Sequence, residues 1–282
     1  MPFVPPTHSR GAVYSGGPPP RSARRPFEGL TGRPAIVLVV LLLVTLPLAA
    51  TGCATSSARS SPTQITVFAA ASLTAAFTKL GEQFDAAHPG MKVVFNFAGS
   101  QDLVAQLEQG APADVLATAD IATMNEVAEL VERPRTFAHN RLEIVVATDD
   151  PKHITGLVDL ADPDLKVVLA APEVPAGKYA EQILDTAHVC VKPVSLEENV
   201  KGVVTKVSLG EADAGIVYVT DVTAANGDVD GVTIPDGQNV IASYPLAAVK
   251  TTEHRQEARS FVDMVLSAQG QETMASFGFL PR

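Results

Sequence analysis

The chain has no tryptophan, only two cysteines and six scattered histidines in 282 residues. Cys53 and Cys190 are too few for a disulfide framework or a multi-cysteine metal site. The histidines, at 8, 88, 139, 153, 188 and 254, lack ligand spacing, so no direct protein–metal ligands are expected. Catalytic signatures are missing as well. There is no G-x-S-x-G elbow and no H-E-x-x-H helix, and Gly177-Lys178-Tyr179 lacks both the upstream glycine and the hydroxyl of a phosphate loop. Asn226 to Gly231 begins like a calcium loop, but Gly237 stands where the bidentate glutamate belongs, so two consecutive turns are expected there. Cys190, in VCVKPV, reads as a small core or strand residue. Basic residues are scarce in the body of the chain. Beyond residue 52 there are 16 Lys and Arg against 30 Asp and Glu, a net charge of −14, which excludes sequence-independent binding to nucleic acid. These absences leave no catalytic residues and no cofactor site, and they point to a binding protein rather than an enzyme.

The composition is otherwise that of a globular chain, 46% hydrophobic and 18% charged. Residues 35–50, AIVLVVLLLVTLPLAA, carry no charge and follow Arg21, Arg24, Arg25 and Arg33. Basic, then apolar, then small is the order of an export signal, and this run falls short of the ~20 residues of a spanning helix. Its ending, Ala50-Thr51-Gly52-Cys53, resembles a lipoprotein box, with Ala50 where an aliphatic residue is usual. Residues 1–52 are therefore expected to be a leader and lipoprotein signal peptide, Cys53 the lipidated residue, and 53–64 a flexible tether.

From Ile65 onward short β-branched runs alternate with helical periodicity. ITVFAAA reads as a buried strand, Ser72 sits at the natural N-cap position, and Leu73, Ala76, Phe77, Leu80 and Phe84 form one face of a helix. The unit repeats at residues 92–110, with further strands expected at 114–117, 142–148, 165–171, 189–194, 214–219 and 242–250. Helices are expected at 120–130, 158–162, from about 178, and at 197–209, 253–268 and 269–277. This alternation predicts an α/β fold of parallel, doubly wound sheets, read as two lobes with the chain crossing between them more than once. A single six-stranded sheet fits the same periodicity.

Three strand-to-helix junctions are built from small, neutral residues: Ala70-Ala71-Ser72-Leu73, Ala98-Gly99-Ser100-Gln101 and Pro175-Ala176-Gly177-Lys178. In an open α/β sheet such junctions gather at the carboxyl ends of strands, where free helix N-terminal amides favour anions. Capping serines and turn glycines are the commoner meaning of any one junction taken alone. In combination, FAAASLTAAF, FNFAGSQDLVAQLEQGAPADVLATAD, VPAGKYAEQIL and ENVKGVVTKVSLGEADAGIVYVTDV resemble the periplasmic molybdate-binding proteins of ABC importers, in the same order and spacing, over residues 65–282. The resemblance implies a type II periplasmic-binding-protein-like fold, with 65–141 plus 244–282 as lobe I and 142–243 as lobe II. It implies oxyanion contacts at Ser72, Ser100, Ala176, Val200 and Tyr218: hydroxyl and amide donors from the serines, backbone N–H from Ala176 and Val200, and a phenol from Tyr218. Tyr179 is a lesser candidate for closing the cleft. The implied ligand is molybdate or tungstate and the implied partner an ABC permease. The implied state is an extracytoplasmic monomer anchored to the cell membrane by its lipid. Sulfate, phosphate or another oxyanion is the nearer alternative, and an enzyme using the same cleft the more distant one.

Overall fold

The structure, a computed structural model, describes residues 62–282. The expected signal peptide, Cys53 and most of the tether lie outside the described residues.

Strand β1 (Thr63–Ala70) begins with inward Ile65 and Val67 and ends in a continuous buried run, Val67 to Ala70, as a strand covered on both faces requires. It pairs in parallel with β2 (Met91–Ala98) and β3 (Val115–Ala117). Between them α1 (Thr74–Ala87) buries Phe77, Leu80 and Phe84 at i, i+3 and i+7. These rings meet Phe137 and Phe261, with centroids 5.5 Å apart for Phe77 and Phe137 and 5.6 Å for Phe84 and Phe261. In a chain without tryptophan, phenylalanine supplies the large aromatic volume of this core. Helix α2 (Ser100–Glu108) follows β2, and a short α3 (Ile121–Glu126) follows β3.

The long strand β4 (Arg135–Ala147) changes partners along its length. Arg135 to Arg141 pair with β9 (Ile241–Ala248), whereas Leu142 to Ala147 pair with β7 (Ala214–Tyr218) on one side and β8 (Val229–Thr233) on the other. Beyond β4 lie β5 (Val167–Ala170), α4 (Pro175–Ala187), β6 (Ser195–Glu197), α5 (Val200–Ser208) and, after β7, α6 (Val219–Ala224). The hydrogen-bonded order is β2-β1-β3-β9-β4-β7-β5-β6, with β8 attached to β4. Each lobe therefore repeats one plan: three parallel strands in the order second, first, third, closed by an antiparallel strand. Helix α7 (Arg255–Leu266) packs on β9 and α1, and α8 (Ala268–Ser276) on α1 and α7.

The structure departs from the sequence reading in several places. The sheet is not parallel throughout: β3–β9, β9–β4, β4–β7 and β4–β8 are antiparallel pairings. The ladder is continuous through β4 but holds nine strands rather than the six of the single-sheet alternative. The strand expected at 189–194 is instead loop leading into β6, and Cys190 is exposed there rather than in the core. Residues 226–231 are one turn followed by the start of β8, not two turns. The helix expected at 158–162 is a 3₁₀ turn at Leu157–Ala161.

Candidate functional site

The carboxyl ends of β1, β2 and β3 face those of β5 and β7, and the junctions that follow them enclose one cavity. Ser72, Ser100, Ala176, Val200 and Tyr218 all line it. Ala70, Ala71, Ala98, Gly99, Ala119 and Pro175 complete most of the wall. Its volume is about 10 Å³, far below the ~300–1,000 Å³ of pockets for organic ligands. Among the described residues the lining holds no carboxylate, lysine or arginine.

Neither serine is an N-cap, contrary to the simplest reading of its position. Ser72 lies inside a 3₁₀ turn, Ala71–Leu73, and its Oγ is 3.0 Å from Tyr244 Oη, 172 residues away. Ser100 is the first residue of α2, after Gly99, and its Oγ accepts the Ala119 N–H at 3.0 Å. Both serines are buried. Their hydroxyls answer to tertiary partners, and local propensity could not reveal that.

On the opposite wall the donors are mainly backbone. Pro175 opens α4 without an N–H, so the Ala176 amide is the first one the helix offers; Val200 is the first residue of α5. Amides in a first helical turn have no intrahelical acceptor, and the helix dipole makes their surroundings favourable to an anion. Gly177 holds α4 against the end of β5, since a side chain there would drive Cβ into the Ala170 and Ala171 carbonyl oxygens. The Asn199 side chain is occupied in capping α5, accepting the Gly202 N–H at 3.2 Å.

Tyr218 is 1% exposed, and its hydroxyl has no hydrogen-bond partner among the described residues. Burial, and then the neighbouring Tyr244, push its pKa well above the ordinary phenol value, so the ring is a neutral donor at any physiological pH. Behind it, the fully buried Asp221 accepts the Tyr218 N–H at 3.3 Å. Lys201 Nζ lies 3.3 Å from the other Asp221 oxygen, at ion-pair distance but outside hydrogen-bond geometry. Burial raises the Asp221 pKa and Lys201 pulls it back.

Contacts at the rim cross between the lobes. Lys178 Nζ reaches Asp120 Oδ2 at 3.4 Å and Thr123 Oγ1 at 3.1 Å, while Gln101 Nε2 donates to the Glu198 carbonyl at 2.9 Å. A Cβ on Gly99 would come within 2.6 Å of the same Glu198 oxygen. Tyr179 does not line the cavity; it is half-buried near Asp120, its pKa pushed up to about 12 by burial and by that carboxylate. Tyr244, Ala119 and the Lys178–Asp120 pair were not foreseen from the sequence, where nothing sets Tyr244 apart from the apolar strand around it.

The family model for bacterial extracellular solute-binding proteins matches residues 65–280. The molybdate-binding protein ModA of Mycobacterium tuberculosis is 44% identical over 231 residues, covering 79% of this chain and 88% of that protein. ModA of Escherichia coli is 31% identical over 236 residues, covering 77% and 88%. Among solved structures, the Azotobacter vinelandii periplasmic molybdate-binding protein matches with a TM-score of 0.66 at 19% identity, over 77% of this chain and all of that one. The sulfate-binding protein SubI of Mycobacterium tuberculosis matches with 0.70 at 22%, over 78% and 87%. At these identities the two structures speak for the fold alone, and one fold serving two anions leaves the choice of anion to the site. By the extent of the family match and the identity to its relatives, the chain belongs to the bacterial extracellular solute-binding proteins.

Proposed function

We propose that the protein captures molybdate, and tungstate with it, outside the cytoplasm and delivers the anion to an ABC permease. The observation that carries this reading is the convergence of Ser72, Ser100, Ala176, Val200 and Tyr218 on one small cavity without a charged lining. Neutral donors in a dry enclosure stabilise an anion without supplying a counter-charge, so affinity depends on how many donors reach it at once. The 44% identity to the mycobacterial ModA proteins favours molybdate among the tetrahedral anions. The acidic body cannot draw the anion in by long-range attraction, and local hydrogen bonds must supply the binding energy.

In this reading the two segments that connect the lobes, within β4 near Arg141 and Leu142 and at the start of β9, form a hinge. Closure brings the serine wall against the amide wall, and Lys178 latches the rim through Asp120. Cys53 carries the lipid that keeps the protein at the membrane as a monomer. Replacing Cys53 by Ser is expected to release the protein from the membrane fraction or leave the precursor uncleaved; normal cleavage with retention at the membrane would remove the anchor from the account. Titration calorimetry against molybdate, tungstate, sulfate and hydrogen phosphate tests the binding reading itself.

A further inference from the structure

Asn140 stands on β4 at the point where that strand passes from one set of partners to the other. Through Arg141 the backbone pairs with β9, and from Leu142 onward it pairs with β7, whose ladder ends at Leu142–Tyr218 as the chain turns into α6. Just before the joint, His139 and Leu280 exchange two backbone hydrogen bonds, at 3.0 and 2.8 Å. Just after it, the Asn239 side chain accepts the Leu142 N–H at 3.2 Å and donates to the Leu142 C=O at 2.8 Å. Asn140 itself is fully buried, and a buried amide in a strand is costly unless both of its ends are bonded. Its Oδ1 accepts the Arg141 N–H at 2.9 Å, and its Nδ2 donates to Thr220 Oγ1 at 2.8 Å. Thr220 is buried too, two residues past Tyr218. Counted on from Leu142–Tyr218, Asn140 and Thr220 are the next pair but one, so two side chains continue a ladder whose backbone has turned away. The backbone of Asn140 is thus tied into the β9 ladder and its side chain into lobe II.

We infer that Asn140 is a positioning residue for Tyr218: it ties Thr220, and with it the turn that carries the phenol, to the strand on which the lobes pivot. This rests on the oxyanion reading of the cavity and on the hinge that goes with it. The phenol depends on such a tie, because its hydroxyl has no hydrogen-bond partner among the described residues and Asp221 holds only the Tyr218 N–H. Neither Asn140 nor Thr220 lines the cavity, so what they contribute to binding passes through a donor that does. With the Asn140–Thr220 bond in place, bending β4 carries the phenol along with it. Without the bond the phenol is placed less firmly, and ordering it at the anion is charged against affinity.

The test is calorimetric titration with molybdate of wild type, Thr220→Val, Thr220→Ser, Asn140→Ala, Asn140→Ala with Thr220→Val, Tyr218→Phe, and Tyr218→Phe with Thr220→Val. Thr220→Val nearly keeps the shape of the side chain and removes the acceptor, so it should weaken binding about tenfold, the equivalent of one hydrogen bond. Thr220→Ser, which keeps the hydroxyl, should recover most of that loss. Asn140→Ala should weaken binding at least as much, and adding Thr220→Val to it should cost no more than about twofold, because the two residues share one bond. In the Tyr218→Phe background Thr220→Val should also cost no more than about twofold, since the hydroxyl it serves has gone. Wild-type affinity in folded Thr220→Val, or a tenfold loss that persists without the Tyr218 hydroxyl, would overturn the inference and leave Asn140 a packing residue. Should Asn140→Ala fold poorly, the Thr220 and Tyr218 variants decide the matter by themselves. Wild type that binds no molybdate would overturn the oxyanion reading together with this inference, a result distinct from either.

Discussion

Lobe I lines the cavity with hydroxyls whose oxygens are already engaged by Tyr244 and Ala119, whereas lobe II offers backbone amides and one unpaired phenol. The hydroxyl wall depends on side chains and on contacts from distant parts of the chain. The amide wall depends on helix placement, which few side-chain changes can erase. Lobe II differs in a second way. It hides carboxylates behind its donors, Asp221 at the Tyr218 amide and Glu143 nearby, whereas the groups that engage the serine oxygens are the neutral Tyr244 hydroxyl and the Ala119 amide. One wall is therefore tuned by hydroxyl orientation and the other by where a helix begins and how its buried charge is balanced.

The largest effect should come from moving the amide wall as a unit. Gly177→Val would push α4 off the Ala170 and Ala171 carbonyls and misplace the Ala176 amide, so molybdate affinity should fall by a hundredfold or more, in line with ~1.5–3 kcal/mol for each charge-assisted donor lost. Circular dichroism must show the fold retained for this to count; wild-type affinity in a folded variant would free α4 from the site.

Single side-chain donors come next. Ser72→Ala, Ser100→Ala and Tyr218→Phe should each weaken binding by roughly ten- to a hundredfold, from ~1.5–3 kcal/mol per bond, without abolishing it. Ser100→Ala should also lower Tm, because it strands the buried Ala119 N–H; Tyr218→Phe should not, since its hydroxyl has no protein partner to lose. Equal Tm changes in the two variants would contradict the contrast between the walls.

A smaller effect is expected at the rim. Lys178→Met removes a partly exposed ion pair to a buried aspartate, and stopped-flow release of molybdate should quicken by a few fold. Unchanged release would mean that the latch plays no part in closure.

The smallest effect concerns the carboxylates of lobe II. Burial, and then Asp221, raise the Glu143 pKa from 4.5 to about 7. Between those values the folded protein holds a proton that the unfolded chain has lost, so stability falls as pH rises through this window. Glu143→Gln should flatten that part of the Tm–pH profile by a few degrees, as about 1 kcal/mol would do in a domain of this size. Wild type and variant falling in parallel from pH 5 to 8 would place the effect elsewhere.

Much of this was legible in the sequence. The alternation of β-branched runs with helical spacing marks most of the elements, and the junctions at Ser72, Ser100 and Ala176 stand at strand ends by pattern alone. What could not be read is long-range. The antiparallel strands that join the lobes leave no periodic trace, because a buried strand looks the same in either direction. Strand β8 was missed because only Val229 in it is buried and its turn residues dominate the local pattern. Cys190 sits in an apolar alternation that pairs with nothing, and the chain joins β5 only at Val194, whose N–H meets the Val167 carbonyl. The orientation of Ser72 depends on a tyrosine 172 residues away.

The central claim is that neutral donors from both walls can meet only on an anion of one size, so the closed cavity measures radius rather than charge. Competition calorimetry of the purified protein with molybdate, tungstate and sulfate at one pH tests it most directly. Molybdate and tungstate should bind alike, and sulfate roughly a hundredfold more weakly, because a smaller dianion strands about two donors at ~1–3 kcal/mol each. Equal affinity for sulfate and molybdate would contradict the claim and make the site a general receptor for tetrahedral dianions.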